Sequence, residues 1–470
     1  MTDPTTGKDD DTIVQSLYVK EPKVYPREVS GRYARLRNLA TWVLLGAFYV
    51  TAWIQIDGQQ ILLFDLPARE FHIFGLTFWP QDFFLLTLLL AIAAVSLFFF
   101  TALAGRLWCG YACPQTVWTE VFVWLERITE GRRNQRIKLD KAPWSMDKLR
   151  RKGAKQFLWI TFALWTGFTF VGYFTPIREL AVKVTALQTG PWETFWILFY
   201  GLATYGNAGF LREQVCKYMC PYARFQSAMF DRDSLIVSYD SARGEPRGKR
   251  PKTASRAELN LGDCIDCMGC VQVCPTGIDI RKGLQYECIS CGLCADVCDD
   301  VMEKMNYPKG LIRYTSENAI EGKKTRILRP RIFAYAAILA ALIGLLLSLL
   351  VTREPLVMDV LRDRNALYRV TANEVENPYT LKLNNRQANP ASVQISATGI
   401  DGIRVVYPDQ LITLPPQSVT DQRLTLAVPL ENAPTGLTPI TIQMRHTDED
   451  GRTRTIETET RFFLPTAPRD

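Results

Sequence analysis

The residues with the clearest chemistry are the cysteines. There are 12, and all lie between Cys109 and Cys298. Eight form two runs: Cys264-x-x-Cys267-x-x-Cys270-x-x-x-Cys274-Pro275 and, after thirteen intervening residues, Cys288-x-x-Cys291-x-x-Cys294-x-x-x-Cys298. Three thiolates spaced in this way wrap one [4Fe–4S] cubane, and the fourth cysteine of each run ligates the other cluster. The spacing therefore predicts Cys264, Cys267, Cys270 and Cys298 on cluster one, and Cys288, Cys291, Cys294 and Cys274 on cluster two. Zinc is the rival reading. Structural zinc sites pair two Cys-x-x-Cys units with four ligands per ion, and two runs of four over-supply that need. Asp299 stands where a proline would complete the second run. Gly269, Gly277 and Gly292 allow backbone to approach the sulfurs closely. Two clusters in series relay single electrons and leave the donor unspecified.

The other four cysteines form a repeat, Cys109-Gly-Tyr-Ala-Cys113-Pro114 and Cys216-Lys-Tyr-Met-Cys220-Pro221. On a helix, cysteines four apart share a face, and a following proline opens or ends the helix. Two such pairs converging would make a soft thiolate site that favours Cu(I), with Met219 as a further thioether. A third iron–sulfur cluster on the same four ligands, a redox disulfide and simple packing of buried cysteine are the competing readings. Cys109, Cys113, Cys216 and Cys220 are thus the candidate catalytic and copper-binding residues. Trp108, Trp118, Trp124 and Tyr111 read as an interfacial aromatic belt. His72 and His446, the two histidines, read as structural or exposed. With so few, several bis-His haem sites cannot be built.

The elements that position these residues lie in membrane. Five uncharged runs, Asn38–Ile56, Phe83–Ala104, Gln156–Ile177, Thr194–Leu211 and Ile332–Thr352, are each long enough to cross a bilayer, which takes about 20 residues. The fourth is interrupted by Gly201, Gly206 and Gly209, and Asp57 is a candidate cap after the first. The loop Gly105–Lys155 carries 12 Lys and Arg, whereas Asp57–Asp82 carries one and Arg178–Glu193 two. The basic loop is placed in the cytoplasm, with the N-terminus. Residues 353–470 then fall on the far side, the periplasm of a Gram-negative cell. They hold 13 Lys and Arg against 15 Asp and Glu, so of the chain's net +7 they carry −2 and the remainder +9. The basic excess flanks membrane runs, which argues against nucleic-acid binding.

The expected architecture is a multi-domain membrane protein. A cytoplasmic segment (1–35) precedes a transmembrane region (36–211) with four helices and both Cys-Pro motifs. A cytoplasmic domain (212–330) carries a two-cluster ferredoxin-like segment (about 258–306), and a fifth helix follows (331–352). The last domain (353–470) is all-β and immunoglobulin-like. Its alternating runs at Tyr379–Leu383, Ser392–Ala397, Ile403–Val406, Leu424–Val428, Ile440–Arg445 and Thr453–Phe463 are separated by turn signals. Residues 241–257 read as a solvated Pro/Gly/basic linker, open to anionic lipid.

Five spans, paired Cys-x-x-x-Cys-Pro motifs, a two-cluster segment and an all-β tail together resemble the CcoG (FixG/RdxA) family of cytochrome c oxidase accessory proteins, over nearly the whole chain. The resemblance implies a cupric reductase of the bacterial inner membrane, making Cu(I) for the copper centre of cbb3-type oxidase. It implies two [4Fe–4S] clusters, copper as substrate or transient ligand, and the oxidase with copper-delivery proteins as partners beside membrane lipid. Two alternatives stand: a membrane ferredoxin carrying electrons from quinol to a periplasmic reductase, and a redox-sensing assembly scaffold. No Gly-x-Gly-x-x-Gly follows a strand, so the donor is expected to be a protein or a quinol. Whether the chain forms homo-oligomers is open.

Overall fold

The computed structural model describes residues 23–464, apart from 57, 253–258, 364–366, 372, 388, 409–410 and 448–452. Asp57 and parts of the N-terminal segment and basic linker lie outside the described residues. The chain divides into two units. One comprises residues up to Gly75 with Leu86–Ala341, and the other Leu76–Leu85 with Leu342 onward.

The first unit is helical: α1 (Arg32–Thr51), α2 (Phe83–Ala104), α3 (Leu107–Tyr111), α4 (Pro114–Glu130), α5 (Arg133–Lys141), α6 (Met146–Val171), α7 (Ile177–Thr185), α8 (Pro191–Thr204) and α9 (Pro221–Met229). Among the described residues, two helices are long and apolar enough to cross a membrane. They are Pro80–Ala104 and Pro330–Val351, with mean hydropathy 2.7 and 2.6. The other three uncharged runs lie in helices that do not reach that measure, each for a visible reason. Helix α1 opens with Arg32, Arg35 and Arg37. Helix α6 ends at Val171, before the run does. Helix α8 gives way at Tyr205 to a π-helical stretch, Tyr205–Leu211, that holds Gly206 and Gly209.

Helices α1, α4 and α6 pack through Leu45, Tyr49, Phe122, Leu125, Trp159 and Ala163. The Trp159 indole donates to the Phe122 carbonyl at 3.0 Å. Helices α6 and α8 approach so closely that a Cβ on Gly167 would stand 2.3 Å from the Ile197 carbonyl and 2.8 Å from the Gly201 nitrogen. Small residues allow this backbone contact.

A buried charge cluster ties the helices together. Glu126 of α4 is fully buried and pairs with Arg136 of α5 and with Arg212, each at 3.0 Å. Lys155 of α6 stands 2.9 Å from Glu130 and 4.0 Å from Glu126. Burial alone would raise the Glu126 carboxyl, but Arg212, Lys23, Arg136 and Lys155 outweigh it and hold the group down at about 2.

The second unit is a β-sandwich. One sheet has the order Arg404–Tyr407, Ser418–Pro429, Glu374–Asn385, Leu356–Arg362, with Arg369–Val370 also on Glu374–Asn385. The other runs Ile412–Leu414, Ala391–Thr398, Gly436–Thr447, Thr453–Leu464. Five of the six expected strand runs fall within these strands, and the sixth, Ile403–Val406, begins one residue ahead of Arg404–Tyr407. Alternate residues such as Tyr379, Leu381 and Leu383 face Ile440, Ile442 and Met444 in one core, the period-two pattern of a half-buried strand. His446 is buried there, its Nδ1 3.1 Å from the Ser392 carbonyl, in keeping with a structural role. Within the same unit Asp82 binds Arg353 and Arg386 at 2.5 and 2.9 Å.

Glu126→Gln leaves Arg136 and Arg212 buried beside a neutral amide. We expect a loss of about 3–5 kcal/mol, the usual cost of breaking a buried pair, read as a lower unfolding midpoint in detergent. Because the folded carboxyl sits at about 2 against an ordinary 4.5, its contribution is complete above about pH 5. It is lost as pH falls toward 2. The gap between wild type and variant should therefore narrow on acidification.

Candidate functional site

The eight-cysteine segment is backed by an antiparallel pair, Ile236–Tyr239 with Ile312–Thr315. The packed body is thus wider than residues 258–306. Val237, Tyr239, Ile280, Met302, Leu311 and Ile312 form its core with Cys264 and Cys270. The described part of the basic linker is exposed but anchored, not free. Arg243 pairs with Asp263 at 2.5 Å, and Arg250 donates to the Tyr307 hydroxyl at 3.0 Å.

The two cysteine runs fold alike. Asp266 (φ 52°) and Met268 (φ 58°) are left-handed two and four residues after Cys264; Ser290 (φ 53°) and Gly292 (φ 75°) match them after Cys288. A helix then begins at Gly269 and at Leu293 respectively. Backbone turned in this way aims successive N–H groups at one point, a cradle suited to an anionic cluster. One cavity is lined by Cys264, Cys267, Cys270 and Cys298. A second is lined by Cys274, Cys288, Cys291 and Cys294, with Cys270 bordering it as well. Their walls are otherwise mainly apolar. Burial pushes the Cys270 thiol up to about 11 and those of Cys288 and Cys298 to about 12.

The Cys-Pro motifs do not form single helices carrying both cysteines, as the spacing suggested. In the first, α3 ends and Cys113 is the extended N-cap of α4, with Pro114 at the first helical position. In the second, a π-helical turn, Val215–Met219, precedes Cys220, the extended N-cap of α9, with Pro221 likewise placed. Proline without an N–H suits the start of a helix better than its interior, so each motif breaks at its second cysteine. Helix α4 spans the gap between the motifs: the Gln115 amide donates to the Asn207 and Arg212 carbonyls at 2.9 and 3.0 Å. Gln226 of α9 accepts from the Cys109 thiol at 3.3 Å.

Cys109 thereby lies within electrostatic range of Cys113, Cys216 and Cys220. Burial, with the neighbouring thiols adding to it, pushes Cys109 up to about 12 and Cys216 to about 11. Met219 is exposed. Among the described residues no three of Cys, His, Asp and Glu are grouped as a ready site for one metal ion.

The first motif rests on the loop of the second cysteine run. A Cβ on Gly110 would stand 2.7 Å from the Ile289 carbonyl and 3.0 Å from the Cys291 Cα. The Tyr111 hydroxyl donates to the Cys291 carbonyl at 3.1 Å and lies 3.2 Å from that of Tyr314, which donates to the Ser290 carbonyl at 2.6 Å. Tyr111 is therefore a bridge to the cysteine loop, not a member of an interfacial belt. Trp118 likewise packs inward on Phe48 and donates to Thr166 at 3.3 Å. Arg106, buried, spans the same junction, donating to the Cys288 carbonyl at 3.4 Å and to that of Ala223. Asp296, between Cys294 and Cys298, caps α1 by accepting from Tyr33 and Ala34 N–H at 3.1 and 2.7 Å. Sequence reasoning missed Arg106, Tyr111, Gln226 and Asp296. A signal existed for Tyr111 alone, since both motifs carry tyrosine at the same place.

Residues 211–317 match the 4Fe-4S dicluster domain, and 83–132, which include Cys109 and Cys113, match a 4Fe-4S binding domain. Residues 346–465 match the IG-like fold at the C-terminal of FixG. The nitrogen fixation protein FixG of Rhizobium meliloti is 39% identical over 82% of this chain and 80% of its own. The chain belongs to the FixG/RdxA family. Protein RdxA of Cereibacter sphaeroides is 38% identical over 83% of this chain and 85% of its own. The ferredoxin-type protein NapH of Haemophilus influenzae is 24% identical over 46% of this chain and 67% of its own. As a family member with 4Fe-4S domains the chain is a membrane-associated redox protein with an Ig-like domain.

Gly110→Ala forces a methyl into backbone that cannot yield cheaply. It should cost about 1–3 kcal/mol by overpacking, read as a lower unfolding midpoint in detergent. Asp296→Ala removes the α1 cap and should cost about 1–2 kcal/mol, with faster amide exchange at Tyr33 and Ala34.

Proposed function

We propose that this protein is a membrane-bound cupric reductase that makes Cu(I) for the copper centre of a cbb3-type cytochrome c oxidase. The observation that carries it is the seating of the Cys109–Cys113 motif, through Gly110 and Tyr111, on the Cys288–Cys294 loop. A soft thiol group and a cluster cradle then share one junction. Cys264, Cys267, Cys270 and Cys298 hold one [4Fe–4S] cluster, and Cys274, Cys288, Cys291 and Cys294 the other. When bound, these clusters supply single electrons, one for each Cu(II) converted to Cu(I). Cys109, Cys113, Cys216 and Cys220 receive the copper, favour its reduced state by their softness and release it to a delivery protein.

In this reading the chain crosses the inner membrane five times, with clusters in the cytoplasm and the β-sandwich in the periplasm. Exposed apolar side chains on α1 (Leu39, Trp42), α6 (Phe157, Trp165) and α8 (Leu198, Leu202) support lipid contact for the three helices that are less apolar overall. The sandwich is assigned to partner contact. A second reading has the chain act as a membrane ferredoxin that passes electrons from quinol to a periplasmic reductase; the likeness to the ferredoxin-type protein NapH supports the ferredoxin part of it. The match of residues 83–132 to a 4Fe-4S binding domain also gives weight to a third cluster on the four motif cysteines.

The test is anaerobic. Pre-reduced protein receives substoichiometric Cu(II) with a Cu(I) chelator present. We expect cluster reoxidation in step with Cu(I), and loss of both in the Cys109/Cys113/Cys216/Cys220→Ala variant, which keeps its cluster absorbance. Clusters that stay reduced would transfer the assignment to the quinol conduit or the scaffold. Iron content decides the quartet: about eight per chain leaves it free for copper, and about twelve assigns it a third cluster.

A further inference from the structure

The first unit contains a cavity of about 930 Å3, of whose lining the copper reading uses Cys216 alone. Its lining comes from the segment before α1, from α1, α4 and α5, from Arg212–Cys216, and from both cysteine runs. Seven arginines and three glutamates face it, and no lysine.

The pairing of these arginines is incomplete. Arg37 has Glu120 at 2.9 Å and Arg127 has Glu28 at 3.3 Å. Arg136 and Arg212 share one carboxylate, Glu126. Among the described residues no carboxylate lies within ion-pair distance of Arg27, Arg132 or Arg133, although Arg133 donates to the Tyr25 carbonyl at 2.9 Å. Arg37, Arg136 and Arg212 are 4%, 1% and 7% exposed. Each keeps one guanidinium nitrogen without a partner: Nε in the first two, Nη1 in the third.

Desolvated cations with unused donors are costly unless an anion meets them. Guanidinium forks match the paired oxygens of phosphate, and arginine without lysine is the composition of such recognition. Val273, Pro275, Ile289 and Leu293 give the cavity an apolar wall beside the cysteine loops. Its volume suits a small organic ligand.

We propose that this cavity binds a phosphorylated ligand, its phosphate held by Arg27 and Arg132 with the buried arginines behind them, and its apolar part against the cysteine-run wall. A soluble phosphate ester and an anionic phospholipid headgroup share this chemistry. The proposal does not depend on the copper reading.

The test uses the full chain with its clusters, copper-free, in nanodiscs of phosphatidylcholine at low ionic strength, titrated calorimetrically with pyrophosphate. We expect saturable binding, weakened at least tenfold in Arg27→Ala/Arg132→Ala and unchanged in Arg404→Ala on the other unit. Unchanged cluster absorbance and unfolding midpoint will show that the double variant folds. Repeating the titration with phosphatidylglycerol in the disc separates the sources. Competition identifies the lipid headgroup, and undiminished pyrophosphate binding identifies a soluble phosphate ester. Equal affinity in wild type and double variant, or no binding of pyrophosphate together with no dependence of the unfolding midpoint on phosphatidylglycerol, overturns the proposal.

Discussion

The constraint on which the candidate site depends is steric. At Gly110 there is no room for a side chain between α3 and the backbone of Ile289 and Cys291. That approach sets how near the first Cys-Pro motif can stand to the second cysteine run. The arrangement around this glycine therefore keeps the first motif against that loop. Tyr111, Tyr314 and Arg106 hydrogen-bond to carbonyls of the same loop, at Cys291, Ser290 and Cys288. They bind the backbone and leave the cysteine sulfurs free.

Other parts of the first unit hold that junction in place. Helix α1 is capped by a carboxylate from the cysteine helix Leu293–Lys304, so its N-terminal N–H groups depend on a residue more than 260 positions away. Helix α4 starts directly after Cys113. Through Gln115 and the Glu126–Arg212 pair it grips the chain just ahead of Cys216. One helix thus relates both motifs. The balance at Glu126 is an electrostatic one: burial opposes the charge, and four cations restore it. The same region leaves several guanidinium groups only partly satisfied, and these face the large cavity.

The two Cys-Pro motifs are alike at their second cysteine and unlike in what they touch. Each breaks at its second cysteine and starts a helix on proline. The first carries Gly110 where the second carries Lys217, and only a residue without a side chain can lie against the cysteine loop. The internal repeat therefore supplies two equivalent thiol pairs, while one substitution within it gives the first the contact.

Much of this was legible from residue type and spacing. Cys-x-x-Cys-x-x-Cys-x-x-x-Cys is a local instruction, because three ligands a few bonds apart must wrap a common centre, and the left-handed residues at 266, 268, 290 and 292 are its backbone consequence. Alternation likewise wrote the strands of the sandwich, because a strand with one face buried repeats every two residues. Tertiary structure decided what depends on long-range approach. The Gln115 tie between the two Cys-Pro motifs, the Tyr111 bridge, the Asp296 cap and the meeting of Arg27 and Arg37 with Arg127–Arg136 and Arg212 at one cavity join distant parts of the sequence. No local pattern encodes them, since each arises only when helices from distant parts of the chain pack against one another.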